Sequence, residues 1–157
     1  MTSASTVVSV EELDRQIVEL LCADGRMSFT DLGKHTGLST SAAQQRVRRL
    51  EQRGIIRGYC AVVDHEAIGL PLTAFISIKP IDPGAVDDVP VRLAGIDAIE
   101  ACHSVAGEES YILKVRVATP SRLELLLAQI RSSANVSTRT TVVLSTAYEG
   151  RPPRPVE

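Results

Sequence analysis

Apolar residues return every three or four positions through the first third of this chain and alternate in several stretches of the rest. Leu13, Ile17, Leu20 and Leu21 form a helical stripe, and Ser9-Val10-Glu11-Glu12 ahead of it has the form of a capping box. Asp24-Gly25-Arg26 ends that helix. Ser28 caps a second, short helix, with Asp31 three residues on, and Gly37 closes it as a left-handed residue. Leu38 fills a turn. Ser39 caps a third helix, on which Ala43, Val47 and Leu50 recur at core spacing until Gly54 ends it. Three helices are the minimum that buries the back of a helix-turn-helix.

Beyond Gly54 the period changes. Ile55 to Val63 is rich in β-branched and small apolar residues and predicts one strand, or two turning near Gly58. Asp64 to Leu72, with Gly69 and Pro71, is a connector. Strands are then predicted at Thr73–Lys79, Ile99–Val105, Tyr111–Val117 and Thr138–Ala147. A helix over Ala85–Leu93 contains Pro90, so it begins late, near Asp87, or is bent. Thr119 caps another helix, Pro120 takes its first position, and Leu123, Leu126, Leu127 and Ile130 form its stripe. The order is βαββαβ, a ferredoxin-like arrangement, and the fold class is α+β. The expected domains are a helix-turn-helix (winged-helix-like) domain over 1–63, a linker over 64–72, the ferredoxin-like domain over 73–149 and a disordered tail over 150–157. That tail includes Arg151-Pro152-Pro153-Arg154-Pro155, and Met1–Val8 is a second mobile end. Ile76 and Ile78 oppose Phe75, and Val142 and Leu144 oppose Val143, so the sheet has apolar residues on both faces. One face can pack on helices; the other needs a cover, most simply a partner's sheet, which predicts a dimer or larger.

Charge sharpens this picture. The chain has 17 Lys and Arg against 19 Asp and Glu, a balance that by itself does not point to nucleic acid. Residues 1–63 hold 8 and 7, or +1, and residues 64–157 hold 9 and 12, or −3. Arg46 to Arg57 alone contains five arginines and one Glu, or +4. On the same helix Ser41, Gln44, Gln45 and Arg48 recur on a side distinct from the core stripe, and such side chains reach base edges and phosphates. The candidate DNA-binding residues are therefore Ser39, Thr40, Ser41, Gln44, Gln45, Arg46, Arg48 and Arg49, on double-stranded DNA. For Arg46 a salt bridge holding the helix, for instance with Glu51, stands beside the DNA contact.

Cys22, Cys60 and Cys102 are odd in number and far apart, which predicts buried free thiols in a reducing cytoplasm. They make no cluster with His35, His65 or His103, so neither metal nor cofactor is expected. No apolar run reaches membrane-spanning length, and Met1–Val8 lacks the pattern of a secretory signal. An enzyme is not expected either: there is no nucleophile–base pairing or Gly-rich phosphate loop. Cys102 and His103, as strand neighbours, point to opposite faces. A small-molecule-binding or assembly module without DNA binding is the alternative, and the basic helix argues against it.

These residues resemble the leucine-responsive regulatory protein family, also called Lrp/AsnC or feast/famine regulators, from about Glu11 to Ala147. Asp24-Gly25-Arg26 leading to Leu32 is similar to the family's start. Gly37-Leu38-Ser39, Arg46-Val47, Arg49-Leu50-Glu51 and Gly54-Ile55-Ile56 look like its recognition helix, and Gly58-Tyr59, Ala61, Asp64 and Gly69 like its linker strand. Gly107 and Thr138 to Leu144 look like the effector domain's turn and last strand. The resemblance implies a transcription regulator with an N-terminal DNA-binding domain and a C-terminal domain for effector binding and oligomerisation. It implies homodimers assembled into octamers, with an amino-acid effector held between dimers near that turn. Gly107, Glu108, Glu109, Ser110, Thr138 and Thr140 are the residues this places at the effector. Backbone N–H groups at Gly107 and the threonine hydroxyls would hold a carboxylate, and Glu108 or Glu109 an ammonium group. Ser110 stands where relatives commonly carry an Asp, and Val136-Ser137-Thr138 is one residue short of the usual approach to the last strand.

Overall fold

The computed structural model describes residues 11–82, 84 and 87–151. Contacts divide the chain into two units. One runs to Val62 and resumes at Tyr148; the other spans Val63–Ala147.

The first unit contains α1 (Glu12–Ala23), α2 (Phe29–Thr36) and α3 (Thr40–Gln52). Ile17, Leu32, Ala43, Val47 and Leu50 make its buried cluster, flanked by Val18, Leu21, Leu38, Ile55 and Ile56. On α1 only Ile17 of the expected stripe is fully buried, while Leu13, Leu20 and Leu21 are half-buried. The cap expected at Ser9 lies outside the described residues; Glu11 occupies the cap position and makes no side-chain capping bond. Ser28 does cap α2: its Oγ accepts the Asp31 N–H at 3.1 Å and donates to the Asp31 carboxylate at 2.7 Å. That hydroxyl, and then Lys34, hold the Asp31 carboxyl below its usual range.

The turn between α2 and α3 is close. Gly37 takes a φ of 71°, and the Leu38 N–H donates to the Gly33 carbonyl at 2.9 Å. A Cβ at Gly33 would meet the Leu38 carbonyl oxygen at 2.5 Å, so only glycine permits this approach.

Two expectations fail after α3. Residues 55–63 form no strand: the Ile55 and Ile56 N–H groups donate back to the Leu50 carbonyl, and a strand needs a partner strand, which no described residue supplies for the rest. Tyr59 and Val62 are accordingly exposed, Val62 at 98%. The three thiols are also exposed, not buried. Cys22 faces outward on the last turn of α1, Cys60 lies in this extended segment, and Cys102 lies on an edge strand.

The second unit is a four-stranded antiparallel sheet with two helices. Its elements are β1 (Leu72–Pro80), α4 (Val89–Leu93), β2 (Ile99–Ser104), β3 (Tyr111–Val117), α5 (Pro120–Ala134) and β4 (Val136–Val142), and the sheet order is β2-β3-β1-β4. The ferredoxin-like expectation holds. Pro90 sits in the first turn of α4, so the helix starts late, as one of the two alternatives required. Thr119 caps α5, accepting the Arg122 N–H at 3.2 Å. β4 differs from expectation at both ends. It starts at Val136, directly after Asn135 in the left-handed region, and ends at Val142 opposite Ala74, with one further bond beyond it from the Val143 N–H to the Thr73 carbonyl at 2.9 Å.

Ala74, Ile76, Ile78, Tyr111, Leu113, Val115 and Val117 face the helices and meet Leu123, Leu126 and Ile130. The other sheet face is more polar than expected. Phe75, 41% exposed, and Ile112 lie there among Lys114, Arg116, Arg139 and Thr141. Val142 ends β4 opposite Ala74, on the helix side, and Leu144 lies past the end of β4 and is 97% exposed. Glu100 is a bulge residue between Ile99 and Ala101. Its carboxylate accepts from Arg116 Nε at 2.6 Å and lies 3.1 Å from Lys114 Nζ. Burial pushes its pKa up, but these two cations outweigh burial and hold it below the usual range. Cys102 pairs with Leu113 and His103 with Ile112, so the two do point to opposite faces.

Tyr111 ties β3 to the approach to α4. Its hydroxyl donates to Asp87 Oδ1 at 2.6 Å, and chiefly that bond, with burial second, pushes its pKa up to about 12.

Gly33→Ala should destabilise the chain by about 1–3 kcal/mol, since the clash is with backbone; urea unfolding measures it, and an unchanged midpoint would contradict the close approach. Tyr111→Phe should cost roughly 1.5 kcal/mol at neutral pH. The folded phenol titrates above its unfolded value of about 10. The contact's contribution is therefore complete below about pH 10 and lost as pH rises through about 12. Urea unfolding across that window should show a decline in the wild type that the Phe variant lacks.

Candidate nucleic-acid interface and effector site

Local capping positions α3. Ser39 Oγ accepts the Ala42 N–H at 3.2 Å, and Thr30 and Thr40 hydroxyls approach to 3.4 Å, linking the first turns of α2 and α3. The buried side of α3 is Ala43, Val47 and Leu50. Away from it, Ser39, Thr40, Ser41, Gln45, Arg48 and Arg49 are exposed and Gln44 is half-buried. The helix thus presents hydroxyls and amides in its first turns and cations later, the arrangement that lets base-reaching groups enter a groove while guanidiniums meet flanking phosphates. Among the described residues Arg48, Arg49 and Arg57 make no ion pair.

Arg46 is placed differently. Its Nη1 donates to Asp14 Oδ1 at 2.8 Å and to Glu11 Oε2 at 3.0 Å. The Asp14 bond first, and the Glu11 bond next, raise its pKa further against the effect of burial. Arg53 Nη1 lies 3.7 Å from Asp14 Oδ2. The salt bridge foreseen with Glu51 is not the one formed: Glu51 accepts instead from the Tyr59 hydroxyl at 3.0 Å. Sequence reading missed Asp14 and Glu11. One signal was available, because Asp14 stands at i of an i, i+3, i+4, i+7 set whose other members are Ile17, Val18 and Leu21. An acid on an apolar stripe needs a cation.

The effector candidates gather less closely. Residues 106–110 connect β2 to β3, and the Ser110 N–H donates to the Ile78 carbonyl at 3.0 Å. Ile78 also pairs with Thr138, and Ile76 with Thr140, so the turn and the start of β4 flank the same end of β1. Glu109 bonds Arg139 of β4 across that end. Thr138 and Thr140 lie half-buried on the helix side of the sheet, and the Thr138 hydroxyl pairs with Arg131 Nη1 at 3.2 Å. Gly107 and Glu108 are exposed, and a Cβ at Gly107 would meet nothing within 4 Å. A cavity of about 360 Å³ lies nearby, lined by Lys79, Asp87, Arg92 and Asn135 among others; of the six candidates only Ser110 lines it. Within one chain, then, the six residues share a region and not a pocket. No helix among the described residues is long and apolar enough to cross a membrane.

Comparison with known proteins places these features. Residues 11–51 match the AsnC-type helix-turn-helix domain, and residues 73–153 match the Lrp/AsnC ligand-binding domain. The chain is 51% identical over 143 residues to the HTH-type transcriptional regulator LrpA of Mycobacterium tuberculosis, covering 91% of this chain and 95% of that protein. It is 35% identical over 140 residues to the leucine-responsive regulatory protein of Escherichia coli, covering 86% and 85%. A solved structure of a feast or famine regulatory protein from M. tuberculosis complexed with L-methionine superposes with a TM-score of 0.92 at 50% identity, covering 94% of this chain and all of that one. The two family models follow one another along most of the chain, and the chain belongs to the Lrp/AsnC family of DNA-binding transcription regulators.

Proposed function

We propose that α3 reads operator DNA through Ser39, Thr40, Ser41, Gln44, Gln45, Arg48 and Arg49, and that the second unit transmits the binding of a small amino acid to it. The observation that carries the DNA reading is the exposed polar and cationic side of α3, opposite its buried Ala43–Val47–Leu50 side. Arg46 is left out of the contact set because its guanidinium is bound to Asp14 and Glu11. The chain works as a dimer, with two recognition helices reading half-sites about one helical turn, roughly 34 Å, apart. Phe75 and Ile112 on the uncovered sheet face support a partner sheet there, and octamers follow by association of dimers. The role is regulatory and not catalytic, and it is exercised in the cytoplasm, where operators are. The L-methionine complex of a relative at 50% identity supports an amino-acid effector at the 106–110 turn, with Gly107, Glu108, Glu109, Ser110, Thr138 and Thr140 contributing. Because a single chain does not close these six into one pocket, the ligand completes its shell from a second dimer.

Gln45→Ala and Arg48→Ala should each weaken binding to a selected operator by about 1–3 kcal/mol while leaving the unfolding midpoint in place, since both side chains are exposed. Wild-type affinity in both variants would remove α3 from the interface. Calorimetry across the amino acids, L-methionine first, should give saturable binding that Gly107→Thr abolishes without unfolding the chain. The bound amino acid should also shift the sedimentation distribution, because a ligand held between dimers favours one assembly state. Binding that leaves both the Thr variant and the distribution unchanged would move the site elsewhere.

A further inference from the structure

α3 carries its cations on two separate sides. At about 100° per residue, Arg46 and Arg53 stand roughly 130–150° around the helix from the middle of the Ser41–Gln44–Gln45–Arg48 face, and Arg49 stands roughly 90° from it. The contacts follow this division. Arg46 is bound to Asp14 and Glu11, and Arg53 lies 3.7 Å from Asp14. Both carboxylates sit at the start of α1: Glu11 is its cap residue and Asp14 is in its first turn. Among the described residues Asp14 is the only buried polar or charged one, at 3% exposure. Burying a charge is costly, and well-packed apolar residues in place of both members of the Asp14–Arg46 pair would hold α1 against α3 about as well. Stability therefore does not account for an acid at this position. What an aliphatic residue cannot do there is hold a guanidinium.

We propose that Asp14, with Glu11, determines specificity: the two carboxylates withhold Arg46 from the DNA backbone and fix the rotation of α3, so that the helix meets DNA with its base-reaching side. This rests on the reading of α3 as the recognition helix. The physical reason is the difference between the two kinds of contact. Each cation placed on a phosphate adds affinity for every sequence and steepens the salt dependence, whereas discrimination comes from base edges. An arginine released from its carboxylates and swung round to a flanking phosphate would raise binding to all DNA alike and narrow the gap between operator and random sequence.

The test compares the full chain with its Glu11→Gln/Asp14→Asn variant on a duplex selected from a random pool and on a scrambled duplex, by fluorescence anisotropy across roughly 50–200 mM salt. The paired variant should bind the scrambled duplex about tenfold more tightly at the low-salt end. Its plot of log affinity against log salt should steepen by about one per protomer, and its operator-to-scrambled ratio should fall about tenfold. An unchanged slope and ratio, with only a lower unfolding midpoint, would make the carboxylates mere struts and overturn the proposal. Arg46→Gln, whose amide can still donate to Asp14, gives an independent reading: its slope should match wild type on both duplexes. A slope shallower by about one would put Arg46 on a phosphate and overturn the proposal as well. A wild-type chain that binds no duplex overturns the recognition-helix reading together with this one. A wild type that discriminates, beside a paired variant that discriminates equally, overturns this one alone.

Discussion

A helix has one circumference, and α3 divides it among three demands. Ala43, Val47 and Leu50 are given to the core, Arg46 and Arg53 to the carboxylate of Asp14, and the rest to solvent. Any rotation of the helix would spoil all three at once. It would lift Leu50 from full burial, separate Arg46 from an acid that water does not reach, and turn Gln45 and Arg48 from the surface. The surrounding features serve this one orientation. The Ser39 cap fixes where the helix begins, the Gly33–Leu38 approach fixes its distance from α2, and Ile55 and Ile56 close the cluster beyond its end. A regulator that discriminates between sequences needs such fixity, since side chains that swing by an ångström can accept more than one base edge.

The second unit is organised by β1, which is paired on both sides and has Ala74, Ile76 and Ile78 fully buried. It offers two unlike surfaces. The helix side is a closed apolar core. The other carries Phe75 and Ile112 within a field of paired charges, with Glu100 between Lys114 and Arg116. A surface of that kind suits association that is specific in register, because an apolar centre supplies the drive and the charges penalise misplacement.

Local physics made much of this legible in the sequence. Ser28, Gly37, Ser39, Thr119 and Pro120 act within three or four residues of themselves, so the ends of α2, α3 and α5 could be read directly. The alternation of Leu113, Val115 and Val117 fixed which side of β3 is buried. What escaped is what depends on distant partners. Arg46 meets Asp14 across 32 positions. Residues 55–63 have strand-forming side chains but no strand to join among the described residues, and Cys102 looked buried because its neighbours are apolar, although its strand lies at the sheet edge. The effector candidates were legible only through family resemblance, since a turn glycine and two threonines carry no chemistry specific enough to name a ligand. The geometry of one chain brings them to one end of β1 without enclosing a site.

The bulge at Glu100 has a consequence for the solution behaviour of the molecule. β2 and β4 are the outer strands of the sheet, so each has one edge with no neighbouring strand among the described residues. Such rows invite strands from other molecules and are a common origin of aggregates. Near the start of β2 the extra residue breaks the repeat and bends the strand, and its carboxylate is paired with Arg116 and Lys114 of β3. On the far side, Arg139 sets a positive charge in the middle of β4. A strand arriving at either edge finds no long neutral template.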